Sequence, residues 1–483
     1  MKIEKTTTGL IIHDGSDFIK TKILEYFSLS NPLREFFIYS GNDKTKKPIL
    51  GKNHDVIYIT SGILDIKDDK LKKELKHYKT IPTLSPKHID LKIDMKPRSQ
   101  LQEDCINKMI SSNTTSKLTI ELRGGTGKSF ITVYAISKLG LKPLIIAPTS
   151  LLKNQWIEYF TDNGIPLSDI ATNIYDGPNK KITVVTISAL SIELNKDWSK
   201  LLNVIKESRY GVKVIDEAHL SLKSVMRFDA ICNIPRNWYL SATLGRSSTD
   251  EDSILNRLFL DADRFIGNGS YKEYQHQYIN IYLQDIYYNP STQLCKEYFK
   301  FGTKGLIKAS YYNMLMNYKN GVPFINNILK MLKIAKKTET YNGKVLLLLP
   351  MLDIIDTVIK YMKRDPFFKN NSISQINGKM NMSERELAKE SDYILSTTQS
   401  VGTGVDIKNL GCVINMDQAA SAVITEQVVV RLRDRGKECW YFDVCDHVRQ
   451  ARSFENWGRQ RRTIFPYIPG VHPDMKKLPD IRS

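Results

Sequence analysis

Nine consecutive residues, Glu121-Leu-Arg-Gly-Gly-Thr-Gly-Lys-Ser129, have the types and spacing of a phosphate cradle. A β-rich run, Lys117-Leu-Thr-Ile, precedes them, and an apolar helical pattern, Phe130-Ile-Thr-Val-Tyr-Ala-Ile-Ser, follows. Strand, glycine-rich turn, Lys-Ser and helix, in that order, hold a nucleoside triphosphate. Gly125 and Gly127, on either side of Thr126, let the backbone close its N–H groups on phosphate oxygens, and the helix N-terminus adds its positive end. Lys128 would reach the β- and γ-phosphates as a point charge, and the Ser129 hydroxyl is placed for Mg²⁺. The strict pattern has glycine where this chain has Leu122.

A second acidic group follows downstream. Val214-Ile-Asp-Glu-Ala-His219 ends an apolar run that reads as a buried strand. In a doubly wound sheet, ligands bind beyond the carboxyl ends of the strands, which sets this segment beside the phosphate cradle. Asp216 is expected to bind Mg²⁺ directly or through water, and Glu217 to orient and polarise the water that attacks the γ-phosphate.

These groups need a scaffold, and the pattern of runs supplies one. Strands are predicted at Leu118–Glu121, Pro143–Ala147, Ile182–Ile187, Val212–Ile215 and Trp238–Leu240, with helical patterns between most of them. A second series runs through Lys344–Leu349, Ser372–Ile376, Tyr393–Ser396, Cys412–Met416 and Cys439–Val444. Alternation of this kind predicts parallel sheets with helices on both faces, an α/β fold in two tandem domains. Residues 1–90 differ. Ile11-Ile-His-Asp, Glu35-Phe-Phe-Ile-Tyr-Ser and Asp55-Val-Ile-Tyr-Ile-Thr are short β-like runs, followed by a lysine-rich stretch from Lys67 to Lys79 and then Pro82 and Pro86. They read as a small α+β accessory domain with a capacity for DNA. The boundaries expected are 91–265 for the first parallel-sheet domain, 266–320 for a bridge without a readable motif, 321–450 for the second domain and 451–483 for a basic, aromatic tail. In that tail, Arg452-Ser-Phe-Glu-Asn-Trp-Gly-Arg-Gln-Arg-Arg462 suits phosphate contact and base stacking, or equally a helix packed on the second domain.

Composition narrows the class. A chain of 483 residues exceeds one compact core. Lys and Arg outnumber Asp and Glu by 70 to 52, a net charge of +18, which favours a polyanionic partner such as nucleic acid. The longest apolar runs fall short of a membrane span, and Met1-Lys-Ile-Glu-Lys lacks the apolar core of a secretory signal. A cytoplasmic location is expected, that of the host for a phage or viral chain. Cys105, Cys232, Cys295, Cys412, Cys439 and Cys445 form no C-x-x-C pair and read as reduced structural thiols.

Gly-Thr-Gly-Lys-Ser129, Asp216-Glu-Ala-His219 and Ser241-Ala-Thr243 together resemble motifs I, II and III of superfamily 2 helicases, a family that accepts a residue other than glycine at the position of Leu122. Ile146-Ala-Pro-Thr-Ser-Leu-Leu-Lys-Asn-Gln-Trp156 resembles motif Ia, which touches the nucleic-acid backbone, and implicates Pro148 and Thr149. Thr186-Ile-Ser188 lies where motif Ib belongs, implicating Thr186. Gln100, or Gln102 just after it, lies where an adenine-reading glutamine is usual. Ser396-Thr-Thr-Gln-Ser-Val-Gly-Thr-Gly-Val-Asp-Ile-Lys-Asn-Leu410 resembles motif V, implicating Thr397 in nucleic-acid contact and Gly404 and Asp406 in nucleotide contact. Glu426-Gln-Val-Val-Val-Arg-Leu-Arg-Asp-Arg435 resembles motif VI, in which Gln427 and Arg431 match the glutamine and first arginine. The second arginine ordinarily stands three residues further on, where this chain has Asp434, which leaves Arg433 or Arg435 for that role. The resemblance implies RecA-like domains, ATP and Mg²⁺ as cofactors, Lys128, Asp216, Glu217, His219, Gln427, Arg431 and Arg435 as the hydrolytic set, and Ser241 and Thr243 as the coupling between hydrolysis and strand movement.

Within the superfamily, Gly402-Thr-Gly-Val-Asp-Ile-Lys-Asn-Leu410 with Gln427 and Arg431-Leu-Arg433 resembles phage branch-migration helicases of the UvsW type. Tyr26-Phe-Ser-Leu-Ser and Glu35-Phe-Phe-Ile-Tyr-Ser-Gly41 echo their small N-terminal domain, and the poxvirus transcript-release helicases have a similar layout. The expected function is an ATP-dependent DNA helicase or translocase acting on single-stranded and branched duplex DNA in recombination, repair and replication, as a monomer and without a membrane. The alternatives are an RNA helicase, an ATP-gated binding module without turnover, and the motor subunit of a restriction complex.

Overall fold

A computed structural model describes residues 2–13, 18–19, 56–61, 64, 68–112, 117–220, 222–242, 259, 261–302, 305–338, 343–398, 400, 407–418, 422–433, 436–468 and 470–483. Tyr26–Ser30, Glu35–Gly41, Thr243, Gly402, Gly404, Asp406, Asp434 and Arg435 lie outside the described residues. The chain divides into two compact units, Met1–Tyr271 and Lys272–Ser483.

The first unit begins with four short strands, β1 (Lys2–Lys5), β2 (Gly9–His13), β3 (Val56–Thr60) and β4 (Lys79–Thr80), in the order β3-β2-β1-β4. Ile3, Leu10 and Ile12 turn inward and join one core with Val225 and Phe228 of helix Leu222–Ile231. Burying a side chain of the size of Phe228 stabilises by about 2–3 kcal/mol, so this small sheet is anchored rather than tethered. The Thr8 hydroxyl adds a hydrogen bond of 2.6 Å to the Asp229 carbonyl.

The parallel sheet of this unit contains β5 (Lys117–Glu121), β6 (Pro143–Ala147), β7 (Ile170–Ala171), β8 (Ile182–Thr186), β9 (Val212–Ile215), β10 (Arg236–Ser241) and β11 (Asp263–Ile266). Their order is β11-β5-β10-β9-β6-β8-β7, and every ladder is parallel. Nearly continuous burial of β6, β8, β9 and β10 is what a sheet covered on both faces requires. Some of the positive charge serves this fold: Lys117 pairs with Asp261 at 2.8 Å, and buried Lys213 with Asp229 at 2.5 Å. The Lys142 ammonium donates to the Gly177 carbonyl at 2.6 Å.

The second unit holds β12 (Ile279–Tyr288), a hairpin of β13 (Phe301–Gly302) and β14 (Gly305–Leu306), then β15 (Lys344–Leu349), β16 (Ile373–Ile376), β17 (Tyr393–Thr397), β18 (Leu410–Asn415), β19 (Cys439–Val448), β20 (Lys476–Lys477) and β21 (Ile481–Arg482). Its parallel sheet runs β16-β17-β15-β18-β19-β12-β20, with β21 also on β12. The stretch 266–320, expected as a bridge, therefore supplies a strand: β12 pairs with β19 from Ile279↔Cys439 to Tyr288↔Val448. The tail is also part of the unit. Helix Arg452–Arg462 packs on β19 so closely that a Cβ on Gly458 would lie 2.3 Å from the Cys445 sulfur. Phe454 stacks on Tyr311 with ring centroids 4.1 Å apart. Arg461 is fully buried against Asp443 at 2.6 Å, and Arg462 reaches the other Asp443 oxygen at 2.8 Å. Of the two readings of this arginine-aromatic helix, packing accounts for Phe454, Gly458, Arg461 and Arg462.

All six cysteines are buried and none is in a disulfide. Among the described residues, no helix is long and apolar enough to cross a membrane.

Candidate active site

Five strands of the first unit end on one edge of its sheet, and each delivers a residue singled out from the sequence. β5 runs into the glycine-rich loop, β6 into Pro148 and Thr149, β8 ends at Thr186, β9 leads to Asp216 and Glu217, and β10 ends at Ser241. Parallel pairing sets Ser241 beside Glu121, and the Leu122 N–H donates to the Ser241 carbonyl at 3.0 Å. Leu122 is wholly buried, so an apolar residue is well suited to this position.

The loop itself has the backbone its glycines permit. Gly125 and Gly127 have φ of 85° and 88°, in the left-handed region that favours glycine. Gly127 is the N-cap of helix Lys128–Leu139 and brings no side-chain cap to its first N–H groups. Such an end is suited to an anion. A Cβ at Gly127 would lie 2.7 Å from the Gln102 amide nitrogen, because Gln102 closes over the loop and donates to the Thr126 carbonyl at 2.9 Å. Its oxygen accepts the Arg98 N–H at 2.9 Å. Of the two glutamines considered, Gln102 is the one at the loop, whereas Gln100 is exposed and bonds Asp104 at 2.8 Å on the outer face of helix Gln100–Ser111.

Charge is concentrated in front of this loop. The Lys128 ammonium lies 3.4 Å from Glu217 Oε1 and donates to the Leu122 carbonyl at 3.2 Å. Glu217 has φ 45°, a strained value for a side-chain-bearing residue, costing about 1–3 kcal/mol and characteristic of functional sites. Two hydrogen bonds hold the turn: Ala218 N–H to the Leu240 carbonyl at 2.9 Å and Leu220 N–H to the Glu217 carbonyl at 2.8 Å. Burial and the neighbouring Glu217 carboxylate push the Asp216 carboxyl up. Burial pushes Glu217 up as well, but Lys128 and His219 outweigh it and leave that carboxyl lowered. The arrangement keeps Glu217 an anion, the form needed to orient water.

Buried His219 continues the chain of contacts. Its Nδ1 lies 2.7 Å from the Ser241 hydroxyl and 3.4 Å from Glu217 Oε2. The structure thus links Lys128, Glu217, His219 and Ser241 in sequence. Ser129 is half-buried in the first turn of its helix.

The proposed strand contacts are also helix caps. Thr149 caps helix Ser150–Asp162 by accepting the Leu152 N–H at 3.3 Å, and Thr186 caps helix Ile187–Ser208 by accepting from Ala189 at 3.2 Å. One residue at the site was quoted in the sequence without a role. Trp156, three per cent exposed, donates its indole N–H to Asp216 Oδ2 at 2.9 Å. The signal available was its apolar place two turns into the helix after β6, which marks it as buried but does not name its partner.

In the second unit, Thr397 ends β17 and its hydroxyl lies 2.9 Å from that of Ser400. The Thr398 hydroxyl and the Lys308 ammonium both bond the Asp417 carboxylate, which follows β18. Gln427 lies in helix Ala422–Val429, and Arg431 and Arg433 follow it, half-buried on either side of fully buried Leu432.

A glycine-flanked, uncapped helix end facing buried Asp216 and half-buried Lys128 and Glu217 fits a nucleoside triphosphate with Mg²⁺. Comparison with known proteins agrees. Residues 94–246 match the family model "Type III restriction enzyme, res subunit", and residues 325–435 match "Helicase conserved C-terminal domain". Together they indicate a superfamily 2 helicase. The chain is 23% identical over 345 residues to transcript termination protein A18 of Yaba monkey tumor virus, covering 68% of this chain and 66% of that one. It is 25% identical over 216 residues to the transcription factor IIH helicase/translocase subunit XPB of Enterocytozoon bieneusi, covering 41% of this chain and 34% of that one. The match spans about a third of that subunit. Among solved structures, S. cerevisiae Dbp5 bound to RNA and ADP BeF3 superposes with a TM-score of 0.53 at 14% identity, covering 80% of this chain and 90% of that one. That likeness bears on the fold, two tandem RecA-like domains. The helicase family implies ATP, typically with Mg²⁺, and binding to nucleic acid.

Proposed function

We propose that this protein is an ATP-dependent DNA helicase or translocase that remodels branched DNA. The observation that carries the ATPase is the Lys128–Glu217 pair at 3.4 Å in front of the uncapped loop, with Asp216 beside it. Gly125, Thr126, Gly127 and Lys128 hold the phosphates, Ser129 and Asp216 hold Mg²⁺, and Glu217 orients the attacking water. Bound Mg²⁺ would neutralise charge on the phosphate oxygens. His219 and Ser241 relay the state of Glu217 to the end of β10, with Thr243 following. Pro148, Thr149, Thr186 and Thr397 grip one strand, largely through its phosphates. Gln427, Arg431 and one of Arg433 or Arg435 act in hydrolysis, and Gly404 and Asp406 in nucleotide contact. DNA rather than RNA is supported by the names of two partial relatives, the general transcription and DNA repair factor IIH subunit XPB and a putative DNA 3'-5' helicase Rad25 of Haloarcula marismortui, the latter 28% identical over 130 residues, 27% of this chain and 20% of that one. We also propose a cytoplasmic monomer.

The choice of branched DNA rests on the N-terminal region. Helix Asp69–Leu75 buries Leu71 and Leu75 and leaves Lys70, Lys72 and Lys73 exposed, a basic face suited to duplex phosphates. Removing residues 1–90 would strip Ile3, Leu10 and Ile12 from helix Leu222–Ile231, so point variants are the cleaner test. ATP hydrolysis is measured with single-stranded DNA, duplex, forked and four-way DNA, and RNA. Lys128→Ala should abolish it. K70E/K72E/K73E should reduce junction remodelling while single-strand-stimulated hydrolysis stands. Stimulation by RNA above every DNA would replace this reading with an RNA helicase.

A further inference from the structure

Asp216 has two carboxylate oxygens, and each receives one donor. Oδ1 accepts the Glu217 backbone N–H at 3.0 Å, and Oδ2 accepts the Trp156 indole N–H at 2.9 Å. The two bonds together fix the rotation of the carboxylate plane and leave each oxygen a further lone pair. The first donor belongs to Asp216's own strand end. The second comes from helix Ser150–Asp162, whose N-terminal corner is Pro148 and Thr149, the segment read as a strand grip. Trp156 is buried and lies beside Phe160, with ring centroids 6.3 Å apart, so its position is set by the helix rather than by solvent. Packing alone would be met by phenylalanine. An indole adds one donor, and that donor is spent on the carboxylate proposed to hold Mg²⁺.

We propose that Trp156 is a positioning residue that orients Asp216 for Mg²⁺ and, as part of helix Ser150–Asp162, links the metal-bound state to the Pro148–Thr149 corner. The inference rests on the Mg²⁺–nucleotide reading of the site given above. Groups that orient a metal ligand are worth about 10–100-fold in metal affinity. Any shift of Asp216 on binding Mg²⁺ is transmitted to Trp156 across one hydrogen bond, and from there along two turns of helix to Thr149.

The test is Trp156→Phe in the full chain, measured by binding rather than turnover. Binding of a fluorescent ADP analogue is titrated in EDTA and against free Mg²⁺, and binding of a single-stranded DNA oligonucleotide is measured with and without Mg²⁺–nucleotide. The variant should bind nucleotide as the wild type does in EDTA, yet need about ten-fold more Mg²⁺ for half-saturation. The ratio of the two DNA dissociation constants should move toward one. An unchanged Mg²⁺ requirement overturns the positioning role, and an unchanged DNA ratio overturns the link. Should the phenylalanine variant fold poorly, replacement of Trp156 by its benzothiophene analogue removes only the N–H and reads the same quantities. Lys128→Ala separates the levels: nucleotide binding by wild type that Lys128→Ala does not weaken refutes the site itself, and this inference with it. Loss of binding in Lys128→Ala together with wild-type Mg²⁺ behaviour in Trp156→Phe refutes this inference alone.

Discussion

Arg461→Met replaces a buried guanidinium by an apolar side chain of similar length and asks whether the tail helix is structure or interface. Arg461 and Asp443 are both fully buried, 2.6 Å apart, and the guanidinium also donates to the carbonyls of Asp417 at 2.8 Å and Val444 at 3.1 Å. Breaking a buried pair from one side costs about 3–5 kcal/mol because the partner charge is left behind. Arg462 still holds the second Asp443 oxygen at 2.8 Å, which lowers that cost. The Asp417 carbonyl left without this donor raises it again by about 1 kcal/mol, whereas the Val444 carbonyl keeps the Gln418 amide at 2.9 Å. The expected loss is about 4 kcal/mol. For a unit of this size each kcal/mol moves the midpoint by about 2–4 °C, so thermal melting should shift down by about 10 °C. Arg459→Ala is the control: Arg459 is 71% exposed on the same helix and pairs only with Glu455 among the described residues, so it should move stability by less than about 0.5 kcal/mol. The salt dependence of DNA binding is measured in parallel. An Arg461→Met protein that melts like wild type but loses about one unit of salt slope would mean that Arg461 contacts phosphate, and the structural argument would fail.

Glu217→Gln keeps the turn and Asp216 but removes the carboxylate held as an anion by Lys128; hydrolysis should fall by about 10²–10⁴ with nucleotide binding retained, as single-turnover and equilibrium binding measurements would show. Arg431→Ala should slow hydrolysis by about 10³-fold or more while DNA affinity changes little, and equal losses of both would make Arg431 a binding residue instead. Asp446 is buried, neither of its carboxylate oxygens has a hydrogen bond among the described residues, and burial raises its carboxyl to about 7. The unfolded group ionises near 4, so folding stability should fall as pH rises from about 4 and level off above about 7. Asp446→Asn should flatten that profile in denaturant unfolding, and a profile as steep as wild type would place the titration elsewhere.

The sequence by itself determined what local pattern can encode. Glycine spacing in the loop, the acidic pair after an apolar run, and strands such as Pro143–Ala147, Val212–Ile215 and Lys344–Leu349 were legible because each depends on neighbours within a few residues. The order of motifs then placed Asp216, Glu217 and Ser241 at strand ends and Lys128 at the head of the helix after β5. Tertiary structure alone decided the rest. β12 is a mixed polar and tyrosine-rich run whose partner, β19, lies some 160 residues downstream, so nothing local marks it as a strand inside a sheet. Gln102 and Gln100 are chemically identical, and only the direction in which a helix face points put one on the loop. The same arginine–aromatic composition in the tail suits a phosphate surface or a core. Which it is depends on Asp443, a charge from another strand that a buried guanidinium must meet. Trp156 shows the limit most directly: its burial follows from helical pattern, but the carboxylate its N–H serves is sixty residues away and is met only when β6 and β9 lie side by side.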